Sequence, residues 1–258
     1  MDPHYDQPAI VRALRAVGLR AGDAVFSHSS VAMLGIPAMG LDEQAVATAF
    51  LAAFREVLGP EGTLVLPAFT YSYTKREVFD PAATPPTPGM GVLPNALWTH
   101  PDAVRSLDPI FSVIAFGARA RELAGEAGAD NCFGPDSVWA RLLAADAAIL
   151  NIGIGSHAAL IHHVEQKLGV PYRYIKRFPG TTVVDGVARE SVVAYNVAAL
   201  DRPQDFAYFM RLDADGRASG AVATAPLGRG EVNLIRAREM ERLIAEGLAR
   251  DPRYLVVD

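Results

Sequence analysis

Four side chains able to move a proton or bind a metal fall close together in the stretch Asn151 to Gln166, N-I-G-I-G-S-H-A-A-L-I-H-H-V-E-Q: His157, His162, His163 and Glu165. Two chemistries suit them. Residues three apart share a helical face, so Glu165 can accept the imidazole N–H of His162, hold one tautomer and stabilise the imidazolium. That is what a general base needs. Alternatively, His157, His162 and Glu165 supply three ligands to zinc in a metal-dependent hydrolase. Against this, the spacing is not H-E-x-x-H and no second cluster of Cys, His or Asp lies near. His163 points about 100° away from His162 on a helix, so the two cannot serve one site. An apolar run, Ala147 to Ile152, precedes the cluster and reads as a buried strand. Gly153 and Gly155 then form a turn at its carboxyl end, where open α/β sheets bind ligands.

A second stretch, His28-Ser29-Ser30, follows another short apolar strand, Ala24 to His28. Hydroxyls and free backbone N–H groups at a strand end suit a phosphate or a thioester carbonyl. The bland alternative is a polar strand-to-loop transition. No Walker loop, dinucleotide fingerprint or nucleophile elbow is present. Arg173, Lys176 and Arg177, interleaved with aromatic residues, form either a phosphate-binding rim or a solvated one. Asp80, Asp108 and Asp136 are carboxylates that could meet a cationic acceptor, although acidic loop residues are usually just solvated.

The elements that must position these residues alternate in type. Asp6 caps a helix with Ile10, Leu14 and Val17 on one face, and Asp42 caps a second over 43–58. Strands are expected at 63–66 and 112–116, and helices at 118–127 and 138–145. A proline-rich irregular segment over 69–91 is long enough to be functional. Past the central stretch, 181–184 and 190–197 alternate around Asp185-Gly186 as a hairpin. A helix over 205–212, strands at 221–225 and 231–235, an amphipathic helix over 236–249 and a last strand at 255–257 complete the chain. The pattern is one α/β domain, 1–258, with a β-rich insertion at about 171–230.

Composition narrows the partners. A net charge of -5 without a basic face argues against nucleic acid. No apolar run reaches the roughly 18 residues of a membrane helix. The single cysteine, Cys132, permits no internal disulfide, and residues 1–7 do not read as a leader, so a cytoplasmic protein is expected. An oligomer is compatible with all of this.

Six motifs in order carry a family resemblance. They are His28-Ser29-Ser30 with Leu34-Gly35, G-T-L-V-L-P-A-F-T at 62–70, V-R-S-L-D-P-I-F-S at 104–112, F-G-P-D-S at 133–137, the glycine turn ending at Gly155, and the H-x-x-E of His162 to Glu165. Across roughly residues 8 to 250 the chain resembles the aminoglycoside 3-N-acetyltransferase family. The resemblance implies a central mixed sheet flanked by helices. It also implies an N-acyltransferase that uses acetyl-CoA or another acyl-CoA as co-substrate, with no metal. The acceptor would be a small-molecule amine: an aminoglycoside, an amino sugar or a nucleotide-linked amino sugar. By the same resemblance His162 is the base and Glu165 orients it. His28, Ser29, Ser30, Leu34, Gly35, Thr70, Arg105 and Ser112 border coenzyme A. Tyr71, Asp80, Asp108, Asp136 and His157 fall on the acceptor side. Two positions depart from the family pattern. Asp108-Pro109 stands where His-Pro is usual, and Ala159-Leu160 stands where Asn-Thr is common. The second departure leaves His162 and His163 both open as the base, although only His162 keeps a glutamate three residues on.

Overall fold

The computed structural model describes residues 4–125, 130–156, 158–199 and 208–256. Helix α1 (Gln7–Ala16) is capped by the Asp6 carboxylate, which accepts from the Ala9 N–H at 2.8 Å, and leads to strand β1 (Ala24–Ser29). A 3-10 turn follows, then α2 (Glu43–Leu58), capped by Asp42, and β2 (Thr63–Pro67). The proline-rich stretch holds only a single turn, α3 (Ser72–Lys75), before α4 (Val92–Leu97). Next come β3 (Val104–Arg105), β4 (Val113–Gly117), a short α5 (Ala120–Leu123), α6 (Val138–Ala144) and β5 (Ala148–Ile152). Helix α7 (Leu160–Leu168) carries the H-x-x-E motif. A hairpin, β6 (Arg173–Val184) and β7 (Val187–Ala198), is followed by α8 (Tyr208–Ala218), β8 (Ala223–Leu227), β9 (Gly230–Arg236) and α9 (Ala237–Arg250). No helix among the described residues is long and apolar enough to cross a membrane.

Seven strands form one mixed sheet in the order β3-β4-β2-β1-β5-β9-β8. β1 runs parallel to both β2 and β5, and every other pairing is antiparallel. The strand period of two assigns successive residues to opposite faces. Val25, Leu64 and Leu150 pack under α1, α2 and α4, while Phe26, Val65 and Ile149 pack against α6, α7 and α9. Both faces are covered, which is why these strands read as continuous apolar runs.

The topology decides where a site can lie. The chain leaves β1 for β2 on one side, and β5 later inserts on the other. The carboxyl ends of β2, β1 and β5 therefore open at the same edge, around a point where strand order reverses. The His28-Ser29-Ser30 segment and the glycine turn after β5 become neighbours there: His28 pairs with Asn151, Ser29 with Ile152, and the Ser30 N–H donates to the Ile152 carbonyl at 2.8 Å.

Three expectations change. Residues 223–227 do not belong with the hairpin. They pair with β9 on the edge of the main sheet, because β9 lies against β5. The hairpin itself is longer than its alternating core, twelve residues on each strand. It is tied to the body along both edges, at Phe79 beside Thr182 and at Asn131 beside Ala194. Leu255 and Val256 are buried but not in a strand, because the chain there closes a turn in which the Val256 N–H donates to the Arg253 carbonyl at 2.8 Å.

Gly153 shows how tightly the two loops meet. Its φ is +71°, and an added Cβ would stand 2.5 Å from the Ser30 carbonyl oxygen. Left-handed backbone costs a non-glycine residue about 1–2 kcal/mol, and overpacking roughly 1–3 more. Gly153→Ala is therefore expected to lower unfolding free energy by about 2–4 kcal/mol in urea titration. A variant as stable as the parent would mean that the two loops are not in contact.

Candidate active site

The edge so defined holds a cleft. One end is a cavity of about 560 Å³ at the carboxyl ends of β1, β2 and β5. Its wall is the 28–32 loop, Phe69, Tyr71, the 89–92 turn and the Ile154–Gly155 turn. Of the residues expected around coenzyme A, His28, Ser29 and Ser30 line it. Tyr71, expected on the acceptor side, lines it too.

The remaining members of that set stand behind the wall and build it. Leu34 is wholly buried in the core, and Gly35 packs against His4. The Thr70 hydroxyl donates to the Pro109 carbonyl at 2.9 Å. Ser112 is buried, and its hydroxyl donates to the Ala68 carbonyl at 2.6 Å. The Arg105 guanidinium donates to that same carbonyl at 2.8 Å and to the Ser112 hydroxyl at 3.0 Å. Burial lowers Arg105 to about 10, so it stays charged at neutral pH. These side chains hold the end of β2 against β4 instead of facing the cavity.

The other end of the cleft is the H-x-x-E pair. His162 Nδ1 lies 2.7 Å from Glu165 Oε2, on one face of α7 as the spacing requires. The same oxygen lies 2.6 Å from Arg173 Nε at the start of β6. Glu165 is wholly buried, and among the described residues its Oε1 has no hydrogen-bond partner. Burial alone would raise this carboxyl. The hydrogen bond and charge of His162, then those of Arg173, outweigh it and hold Glu165 below the usual carboxylate range. The Arg173 side chain is only 8% exposed, and its Nη1 donates to the Asn196 carbonyl at 3.1 Å. Asn196 in turn donates from its side chain to the His162 carbonyl at 3.0 Å.

A line of aromatic rings joins the two ends. His28 stands edge-on to Phe69 at 6.3 Å between centroids, Phe69 to Phe111 at 5.3 Å, and Phe133 to His162 at 5.3 Å. Phe111 and Phe133 close the gap at 4.8 Å. The cavity and the imidazole thus share one apolar wall.

His163 looks elsewhere. It is buried on the opposite side of α7, and its Nδ1 is 2.8 Å from the Phe133 carbonyl oxygen. Burial lowers its pKa, which keeps it neutral. Beyond it lies a separate groove between α6, α7 and α9.

The carboxylates expected for the acceptor are not gathered. Asp80 accepts from the Ala82 N–H at 2.8 Å in a local turn, and Asp136 is exposed beside the Ser137 cap of α6. Asp108 is buried, and its Oδ1 accepts from the Ile110 and Phe111 N–H groups at 2.8 Å each and from the Cys132 thiol at 3.2 Å. His157 lies outside the described residues. Among the described residues no cluster of three or more His, Cys, Asp or Glu stands at metal-binding distance. Of the basic cluster, Arg173 turns inward to Glu165 and forms no part of a rim.

Sequence reasoning missed Arg173 as a partner of Glu165, and Asn196 altogether. It also missed the polar cluster that fixes the glycine turn. There the Ser156 hydroxyl donates to Asp213 at 2.5 Å, and Asn233 donates to the Ile154 carbonyl at 2.8 Å. Glu165 and Arg173 stand eight positions apart, across the end of a helix and the start of a strand, a spacing with no periodic meaning.

Comparison with known proteins puts this chain among the acyl-coenzyme A-dependent N-acetyltransferases. Residues 27–249 match the family model for aminoglycoside 3-N-acetyltransferase, and the chain belongs to that family. Aminoglycoside N(3)-acetyltransferase VII of Streptomyces paromomycinus is 29% identical over 90% of this chain and 87% of its own length. Among solved structures, the apoenzyme of aminoglycoside acetyltransferase AAC(3)-IVa superposes with a TM-score of 0.81 at 26% identity, covering 100% of this chain and 93% of that one. AAC-VIa bound to sisomicin gives 0.81 at 27% identity, with 96% and 99% covered.

Asp108 makes stability depend on pH in a defined direction. Burial raises it from 3.8 to about 6, against the pull of its hydrogen bonds. A folded value above the unfolded one means that its contribution is full below pH 4 and is lost as pH rises through 6. At about 1.4 kcal/mol per unit, roughly 3 kcal/mol disappears across that window. Asp108→Asn is expected to flatten this part of the curve when unfolding free energy is measured by urea from pH 4 to 7. An unchanged slope would dismiss the assignment.

Proposed function

We propose that this chain moves an acetyl or related acyl group from acyl-coenzyme A to an amine of an aminoglycoside or amino sugar, by direct attack with His162 as general base. The observation that carries the reading is the 2.7 Å contact between His162 Nδ1 and Glu165 Oε2, on an imidazole that shares its aromatic wall with the cavity beside His28. The substrates named for the family's relatives supply the acceptor class.

The chemistry runs in one displacement. Glu165 holds the Nδ1–H, which leaves Nε2 to take a proton. An amine is largely protonated at neutral pH and cannot attack in that form, so a base at the point of attack is required. As His162 accepts the proton, the amine nitrogen bonds to the thioester carbonyl carbon. The carbon–sulfur bond then breaks and the thiolate leaves; the second proton lost from the nitrogen ends on the departing sulfur as free coenzyme A, His162 returns the first to solvent, and the amide remains. No covalent acyl-enzyme forms. The tetrahedral oxyanion needs donors, and the hydroxyl groups of Ser29 and Ser30 supply them, the Ser30 N–H being committed to the Ile152 carbonyl. Ser112 is a poor donor for this role, because its hydroxyl is committed to the Ala68 carbonyl. The reading puts the acyl-CoA in this cavity, whose lining offers it His28, Ser29 and Ser30 as polar contacts and Phe69 as an apolar one.

The two histidines provide the test. His162→Ala is expected to lower acyl transfer by about 10²–10⁴-fold, the usual worth of a general base, with the circular dichroism spectrum unchanged. His163→Ala is expected to keep most of the turnover while losing about 1–3 kcal/mol of stability, the cost of one buried hydrogen bond left unmade. Thiol release from acetyl-CoA with an aminoglycoside panel reads both. The reverse pattern would move the base to His163, and full activity in both variants would reject base catalysis from α7.

A further inference from the structure

Glu165 is placed where a carboxylate should not be ionised, wholly out of water, and yet the His162 contact is useful only if it is. His162 alone does not settle this, because a buried His–Glu pair can share one proton and stay neutral. The structure adds a permanent cation. Arg173 Nε sits 2.6 Å from the same Oε2 that faces His162, and its guanidinium is held at a second point by the Asn196 carbonyl. Asn196 also grips the His162 backbone at 3.0 Å. Four groups thus close a ring in which the base, its orienter and the cation fix one another.

We propose that Arg173 is a positioning residue for the acyl transfer: through Glu165 it keeps the His162–Glu165 pair in its proton-accepting form at neutral pH and sets where that form is lost. This inference rests on His162 as the base. A cation beside the pair lowers its affinity for a proton, so the accepting state, neutral imidazole with ionised Glu165, persists to lower pH. Without Arg173 the site is one charge more negative and binds its first proton more tightly. The accepting state is then lost at a higher pH, whichever of the two residues carries the proton.

The other titratable groups packed round the pair do not do this. Tyr195 on β7 and Cys132 beside it are pushed up by burial and stay neutral. Tyr174 on β6 is half-exposed. On the far side of α7, Lys167 is paired with Glu241 of α9 at 2.8 Å, next to the neutral His163. Asp108 titrates near 6, but its contacts are to Cys132 and its own turn, not to Glu165.

The test is the pH profile of kcat/KM for Arg173→Met and Arg173→Lys, with an NMR titration of the His162 ring in the same proteins. Removal of the charge is expected to move the acid limb upward by about one unit or more, the usual reach of a contacting Arg on a carboxyl. Activity should return toward the parent's at high pH, and the His162 ring should titrate with the same displacement. Arg173→Lys, which keeps the charge, is expected to leave the limb near its parent position even if the rate falls. Arg173→Gln serves as the neutral variant should Met not fold. The upward limb should also persist in an Asp108→Asn background; its disappearance there would assign the effect to Asp108 and overturn the proposal. A neutral variant that is merely slower at every pH, with limb and ring titration unmoved, would make Arg173 a structural residue only. Should His162→Ala keep its activity, the base assignment itself falls, and that outcome is distinct from the failure of Arg173.

Discussion

An ionised carboxylate removed from water must be matched by positive charge and hydrogen bonds, or it takes up a proton instead. Glu165 is this chain's instance, and much of the nearby architecture serves it. One donor comes from its own helix, three residues back, by the geometry of any α-helix. The other must come from outside the helix, because nothing within one turn of α7 can supply it. The chain turns back at Gly169, whose left-handed φ of +65° ends α7, and enters β6 with Arg173 facing the carboxylate. β7 then pairs with β6 in a register that puts Asn196 opposite Ile175 and within reach of both Arg173 and His162. The hairpin is thereby part of the site's electrostatics as well as a cover over it.

The second constraint is the parallel pairing of β1 with β5. Parallel neighbours end on the same side, so two loops far apart in sequence meet with no dedicated linker. The meeting is close because Gly153 has no side chain to hold Ser30 away. Polar groups at the end of β5 hold the turn in turn: Asn151 donates to Asn233 at 3.1 Å, and Asn233 to the Ile154 carbonyl. Apolar packing completes the cleft, with Phe69, Phe111 and Phe133 bridging from β2 to α7 as part of the core below the sheet. The cleft wall is therefore as rigid as the core, which is what a site that aligns two substrates for direct attack requires.

Much of this was legible beforehand for a physical reason. Strand and helix periods are local, so the buried runs at Val25–Phe26, Leu64–Leu66 and Ile149–Ile152 and the shared face of His162 and Glu165 could be read directly. The same holds for the polar pair Ser29 and Ser30 at a strand end. Side-chain direction outside a regular element was not legible. Leu34, Thr70, Arg105 and Ser112 sit in motifs that border the cleft, yet each turns into the wall to satisfy a carbonyl or fill the core. Asp108 turns inward likewise, to receive the N–H groups of its own turn.

By itself, then, the sequence determined the α/β class, the strands whose ends carry the site's loops and the pairing of His162 with Glu165. Each of these follows from contacts within a turn of helix or a run of strand. Only the tertiary structure decided that His163 faces away, that Arg173 leaves the expected basic rim to contact Glu165, and that Asn196 closes the ring. Those outcomes depend on the register of β6 with β7 and on how α7 packs against Phe133. Such long-range geometry is set by the whole core at once, and no local spacing encodes it.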